Sequence, residues 1–285
     1  MGVSGEQAAF VAHCEMARAT FPLNAEELRE VAACRHGHDV QRALSQACVG
    51  IVGLGGLGSN VAVFLARAGV GRLVLVDFDA VDATNLNRQH YFGRHLGHPK
   101  AWALADQLLD VNPYLSYEPH VTRVDASNVQ RLFGTCDVVV EAVDEPDQKA
   151  AVTEAVLMGL PDALLVGASG MAGLGSPNDI CTRRRFDRWY LCGDGASDVE
   201  EEGFLAAPRV ALCAGHQALT VMRLLAGREQ RESEDEPRGA LQGETHQGPH
   251  TELNRDPHKE PHNEPHQEPQ GREAQDESIE WRTRA

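Results

Sequence analysis

Long apolar runs are missing from this 285-residue chain. No stretch of about 18 apolar residues could cross a bilayer, and the first residues lack the charged-then-apolar pattern of a secretion signal. These two absences predict a soluble cytoplasmic protein with no membrane partner. Basic charge is also short, with 26 Lys and Arg against 42 Asp and Glu and a net charge of −16, which argues against nucleic acid as a partner. The 7 cysteines, at 14, 34, 48, 136, 181, 192 and 213, include no Cys-x-x-Cys pair. That spacing excludes the usual four-cysteine zinc site, and a disulfide scaffold is not expected at this size and compartment. Lysine is rare, occurring only at Lys100, Lys149 and Lys259.

What is present divides unevenly. Residues 228–285 hold 15 acidic and 8 basic side chains, 6 of the 14 prolines and few apolar residues. Such a segment buries too little surface to offset the entropy of ordering, so a disordered acidic tail is expected. Its repeat DPHKEPHNEPHQEP spaces His258, His262 and His266 four apart, but the intervening prolines forbid the helix that would bring them onto one face. Residues 1–47 read as short helices, with Asn24 and Glu27 at capping-box spacing. Residues 48–227 carry the main domain.

Within that domain short apolar runs alternate with helical segments. CVGIVG, RLVLVD, YEPHVT, CDVVVEAV and ALLVGAS read as strands, while 59–69, 100–111, 146–159 and a last helix from Pro208 to about Gly227 read as helices. The alternation predicts an α/β fold, a Rossmann-like doubly wound and mostly parallel sheet. Between ALLVGAS and Pro208 the chain reads as irregular, with a candidate strand at Cys181. Ligands in such folds bind at the carboxyl ends of the strands, where the polar motifs of this sequence fall.

The first of these is GLGGLGS, 53–59, between a strand and a helix. Gly53, Gly55 and Gly58 satisfy G-x-G-x-x-G and Gly56 adds room, so backbone N–H groups can approach phosphate oxygens. Asp77 ends the next strand and is placed to accept from a ribose hydroxyl. A nicotinamide-dependent oxidoreductase would share these features. It would leave unused the polar residues that follow, Asp79, Asn85 and Arg88, and also Lys100 at a helix start. A nucleoside triphosphate cut at its α-phosphorus needs such fixed cations. Lys100 alone could instead be a solvated helix-end charge, the lesser of the two readings. Asp144, after the fourth strand, can bind Mg²⁺ facing phosphates or cap the helix that follows. Cys192, after the arginines of RRRFDR, is a candidate thiolate, with Asp194 acting against ionisation. Cys181 and Cys213 read as small buried hydrophobes, and His216 as a helix-packing histidine.

GLGGLGS, DFDAVDATNLNRQ, the lysine of GHPK and the strand-end aspartate together resemble the ubiquitin-activating-enzyme-like superfamily in its ThiF/MoeB branch. Over roughly 35–227 the motifs occur in the order of that branch. The segment from 168 to 218 is more similar to the thiamine-pathway, carrier-activating subgroup than to the molybdopterin one. The resemblance implies an ATP- and Mg²⁺-dependent adenylyltransferase acting on a ubiquitin-like sulfur carrier protein with a C-terminal Gly-Gly. It further implies a homodimer, with Gly56 at the phosphate loop, Asp77 on the ribose, Asn85, Arg88 and Lys100 on the phosphates, and Asp144 on magnesium. Relatives carry zinc-binding cysteine pairs that this chain lacks, so zinc is not expected. They also insert an arginine from the partner subunit into the nucleotide site, and Arg35 is the candidate for that role. A modified-tRNA dehydratase is a further adenylating relative that the motifs allow. Adenylation needs no cysteine, so Cys192 would serve a later acyl or sulfur transfer. The Gly-rich 167–176 segment could line a channel for the carrier tail or form an ordinary turn.

Overall fold

The computed structural model describes residues 5–227; the expected acidic tail and its histidines lie outside them. Three helices come first, α1 (Gly5–Thr20), α2 (Ala25–His36) and α3 (His38–Gln46). The Asn24 side chain accepts from the amides of Glu26 and Glu27, and Glu27 reaches back to the Asn24 amide, completing the capping box expected there. Then follow β1 (Cys48–Val52), α4 (Gly56–Ala68), β2 (Arg72–Val76), α5 (Lys100–Val111), β3 (Ser116–His120), α6 (Val129–Phe133), β4 (Val138–Glu141), α7 (Pro146–Gly159) and β5 (Leu164–Ala168). A hairpin of β6 (Cys181–Phe186) and β7 (Trp189–Gly193), a single turn α8 (Val199–Glu202) and the long α9 (Ala207–Leu225) complete the chain.

One seven-stranded sheet runs in the order β3-β2-β1-β4-β5-β7-β6. All neighbours pair in parallel except β6 and β7, which are antiparallel. The α/β doubly wound class is therefore the observed one. The central strands are continuous apolar runs because helices cover both faces. Val49, Ile51, Leu73, Leu75, Val138 and Val140 lie in one core cluster with α4, α5 and α9, while Val52, Val74, Val76, Val139 and Leu165 lie in the other with α6 and α7. The chain runs outward from β1 to β2 and β3, then returns to place β4 on β1's other side. That reversal opens a crevice at the carboxyl ends of β1 and β4, where ligands of such sheets bind.

Two sequence expectations are corrected here. The stretch after Ala168 is not irregular throughout, since it contains β6 and β7. Thr182–Phe186 is mostly exposed because β6 is an edge strand, and edge strands tolerate a run of arginines that hides the strand signal. The helix after β1 starts at Gly56, not Ser59, which puts Gly56 and Gly58 within its first turn. No helix among the described residues is long and apolar enough to cross a membrane.

Candidate active site

The crevice is a cleft of about 860 Å³ lined by the phosphate loop, the ends of β2 and β4, the 85–89 segment, the start of α5 and the loops after β3 and β5. Its floor depends on two glycines. Gly53 has φ +84°, and a Cβ there would meet the Ala142 carbonyl oxygen at 2.8 Å. A Cβ on Gly58 would lie 1.9 Å from the Gly53 carbonyl oxygen. Only glycine permits a turn this tight with the helix start folded onto it. The amino end of α4 therefore faces the cleft with unpaired N–H groups and its partial positive charge.

Asp77 is buried, and its two oxygens accept from the Leu54 amide at 2.7 Å and the Asp79 amide at 2.8 Å. Burial raises its carboxyl above the usual range, against the lowering pull of Lys100 and of those two amides. Asp77 thus braces the phosphate loop as well as lining the cleft.

The polar segment after β2 is stitched onto the loop by residues the motif reading overlooked. Ser59 Oγ accepts from the His90 amide at 3.0 Å and donates to the Gly55 carbonyl at 2.6 Å. The Asn60 side-chain amide donates to the carbonyls of Gly56 at 2.6 Å and Arg88 at 3.3 Å. The buried Tyr91 hydroxyl donates to the Leu54 carbonyl at 2.9 Å. These bonds bring the Arg88 methylenes over Gly56. The Arg88 guanidinium donates from one terminal nitrogen to Thr84 O and Asn87 Oδ1, while its buried Nε has no partner among the described residues. Gln89 is also buried in this wall with Oε1 unpartnered. Orphaned buried polar atoms are costly in an empty protein and expected where a polar ligand completes them. Asn85 spends its Oδ1 on the Asp82 amide, leaving its NH₂ group for a ligand.

Lys100 reaches the same wall because the chain folds back. Ala80 bridges Pro99, the Lys100 amide donates to the Asp79 carbonyl at 2.9 Å, and Lys100 Nζ meets Asp79 Oδ2 at 3.0 Å. The Lys100 side chain is 8% exposed and that of Asp79 48%. The reading of Lys100 as a solvated helix-end charge is therefore corrected: its ammonium is buried in the cleft wall.

Across the cleft, Asp144 is exposed and forms no hydrogen bond or ion pair among the described residues. The cap of α7 is Glu145, so the alternative capping role of Asp144 is overturned. A free, hard carboxylate oxygen facing a cationic wall fits Mg²⁺. A second lysine lies on this side. Lys149 donates to Glu141 at 2.8 Å and to the Val143 carbonyl at 3.0 Å. Glu141 is almost wholly buried, and burial raises its carboxyl despite the ammonium. No motif announced this pair. Phe78 and Arg123 add a rim at the ends of β2 and β3, with the guanidinium 3.9 Å from the ring centroid.

Two expected residues lie elsewhere. Arg35 is exposed near the end of α2 and does not line the cleft of its own chain. Cys192 lies in β7, is 1% exposed and contacts Thr182 and Thr220. Burial raises its thiol pKa, partly offset by those hydroxyls. The expectation of an arginine-activated thiolate in an irregular stretch is corrected, because the arginines of β6 project to solvent at the sheet edge. His216 packs from α9 against Thr182 at 3.2 Å, as read.

The far wall is held by an ion pair with no sequence signature. Arg209, in the first turn of α9, donates to Asp194 Oδ2 at 2.5 Å, to the Ser176 carbonyl at 2.8 Å and to the Gly175 carbonyl. Burial opposes ionisation of Asp194, but the Ser197 and Ala196 amides, the Ser197 hydroxyl and Arg209 hold its carboxyl at about 2. This clamp ties the loop after β5 to the one after β7, and both line the cleft.

Comparison with known proteins adds independent findings. Residues 28–263 match the ThiF family. The chain is 32% identical over 196 residues to the molybdopterin-synthase adenylyltransferase of Escherichia coli, spanning 66% of this chain and 77% of that protein. It is 31% identical over 187 residues to adenylyltransferase and sulfurtransferase UBA4 of Yarrowia lipolytica, spanning 62% of this chain but only 45% of that protein. Among solved structures, the tRNA N6-threonylcarbamoyladenosine dehydratase of E. coli in complex with AMP superposes with a TM-score of 0.64 at 22% identity, over 71% of this chain and 95% of that one. At that identity the likeness is one of fold.

Proposed function

The chain belongs to the ThiF family, and from that premise we propose that it adenylylates a ubiquitin-like sulfur carrier. The substrate carboxylate is that of a C-terminal glycine, the co-substrate is ATP, and pyrophosphate leaves. The observation that carries this reading is the gathering of Arg88, Lys100 and the amino end of α4 on one wall, opposite the free Asp144. A nicotinamide reading gives the two cations and Asp144 no task.

The reaction needs little acid–base chemistry. A terminal carboxylate is ionised at pH 7 and is already a nucleophile. The protein must align it with the α-phosphorus and stabilise charge on the leaving pyrophosphate. In our assignment Gly53, Gly55, Gly56 and Gly58 let the loop's backbone approach phosphate, and Asp77 accepts from the ribose. Asn85, through its NH₂ group, and Arg88 and Lys100 take the phosphate oxygens. Asp79 holds the Lys100 ammonium ready in the wall and, being half exposed, can turn to water when phosphate replaces it. Mg²⁺ held by Asp144 would neutralise phosphate charge. A tail of two glycines suits the narrow approach past residues 168–172, because it has no side chains to exclude. Arg35 can serve a nucleotide only from a second copy, so that assignment presupposes the homodimer. We place the protein in the cytoplasm, and take residues 1–47, 48–227 and 228–285 as its working division.

The identity of the carrier is the finer part of the proposal. The 168–218 segment favours a thiamine-type carrier, whereas the molybdopterin-synthase adenylyltransferase relative favours a molybdopterin-type one. ATP–pyrophosphate exchange measured with purified carriers of both types, each ending in Gly-Gly, tests both levels. Exchange that depends on one carrier supports the reading and identifies the pathway. Absence of exchange with either, together with ATP binding unaffected by Lys100→Ala, would remove it.

A further inference from the structure

At the amino ends of β1 and β4, the end of the strands opposite the cleft, two cysteines far apart in sequence meet. Cys48 opens β1 and Cys136 lies two residues before β4. Their sulfurs are 3.1 Å apart, and Arg72 at the start of β2 donates its Nε–H to Cys48 Sγ at 3.1 Å. Arg72 is fixed in turn by Glu118 at 3.3 Å and by the Thr135 hydroxyl. Asp137 is the other nearby carboxylate, and it accepts from the Cys48 amide at 2.8 Å. Both cysteines are nearly buried, at 6% and 7% exposure, yet Thr135 and Asp137 beside them are exposed. The pair therefore sits one residue below the surface, within reach of a small solute.

We propose that Cys48 and Cys136 form a dithiol that hydrogen peroxide oxidises to an intramolecular disulfide joining β1 to β4, a modification site separate from the nucleotide cleft. The contact is short enough that bond formation needs the sulfurs to close by only about 1 Å. The guanidinium assigns the roles. Arg72 and a hydrogen bond from Cys136 favour the Cys48 thiolate, with the Cys136 bond the larger influence and burial opposing both. Cys136 is pushed the other way, by the same shared proton and by burial. Cys48 is thus the attacking thiolate and Cys136 the resolving thiol.

The chemistry balances in two steps. The Cys48 thiolate attacks one peroxide oxygen, the O–O bond breaks, and hydroxide leaves behind a sulfenic acid. Cys136 then attacks the Cys48 sulfur, the S–S bond forms, and the sulfenic oxygen leaves as water. The Cys136 proton makes that water, and the proton that Cys48 gave up on ionising neutralises the hydroxide of the first step. Two thiols lose two electrons and two protons overall, and peroxide is reduced to two waters.

The test uses the full chain, reduced, desalted and exposed to hydrogen peroxide at neutral pH. Intact mass should fall by two hydrogen masses, and a non-reducing peptide map should contain a Cys48–Cys136 linkage. In Cys136→Ser the reaction should stop at a Cys48 sulfenic acid, trapped by a cyclic 1,3-dione. In Cys48→Ser, Cys136 should stay reduced. Arg72→Leu should slow linkage by about tenfold through loss of the thiolate. A wild-type map with Cys48 and Cys136 still free after the exposed Cys34 has been oxidised would overturn the proposal. That reading stands even if a variant does not fold. Linkage at an unchanged rate in folded Arg72→Leu would overturn the role given to the arginine.

Discussion

On the wall formed by residues 77–100, Lys100 faces one carboxylate whose side chain is 48% exposed. On the far wall Arg209 faces Asp194 with less than a tenth of either side chain exposed, and holds two backbone carbonyls besides. Both are cation–carboxylate pairs beside one cleft, but their surroundings give them opposite tasks. Removing Lys100 leaves an aspartate that can turn to water. Removing Arg209 leaves a buried carboxylate without its counter-charge, held only by the Ala196 and Ser197 groups, and two carbonyls without their donor. The difference teaches that burial of the acid, more than of the cation, separates a ligand-binding pair from a structural one.

The largest effect is expected for Arg209→Met. It should cost about 3–5 kcal/mol of stability, the usual penalty for stranding one member of a buried pair, and urea unfolding would measure it. A loss below about 1 kcal/mol would put the two pairs in one class. Next comes Lys100→Ala, with the opposite profile: a nearly unchanged unfolding midpoint but carrier-dependent exchange down by about 10²–10³. Arg88→Ala should behave likewise. Exchange at wild-type rates in both would discard the phosphate assignment.

Acid sharpens the contrast further. The Asp194 carboxyl is depressed to about 2 in the folded protein from an ordinary 3.8. Its stabilising share is therefore complete above the unfolded value and lost as pH falls through the folded one. Burial-raised Asp77 and Glu141 have the reverse sign, disfavouring the fold once ionised at higher pH. Asp194→Asn should accordingly be less stable than wild type at pH 5, and the gap between their urea midpoints should close toward pH 2. A gap constant with pH would mean that Asp194 contributes by shape alone. The smallest effect is expected at Cys192→Ser. Exchange should stay within about twofold of wild type, because the buried thiol is outside the cleft, with a stability loss of about 0.5–1.5 kcal/mol, since the Thr182 and Thr220 hydroxyls can partner the serine hydroxyl. Rapid alkylation of native Cys192, ahead of Cys34, would contradict its placement in β7.

Much of the near wall was legible because its signals are local. Glycines at fixed spacing, an acid at a strand end and a lysine after His-Pro each have consequences within a few residues. The α5 boundaries at Lys100 and Val111 and the Asn24 capping box were readable for the same reason. The far wall was not legible. An arginine run normally reads as solvated loop, and here it lies on an edge strand that exposes it; Cys192 seemed to belong with those arginines and instead faces α9. Arg209 and Asp194 are 15 residues apart in sequence with no periodicity linking them.

By itself, then, the sequence determined the alternation of strands and helices, the parallel sheet and the phosphate loop, since backbone geometry and hydrophobic period act over short range. Tertiary structure decided which charges are partnered and which are free. It buried Lys100, left Asp144 open, stitched Arg88 over Gly56 through Ser59, Asn60 and Tyr91, and brought Cys48 against Cys136. Those outcomes depend on distance and desolvation between residues that the chain order keeps apart, and both quantities come into being only when the sheet assembles.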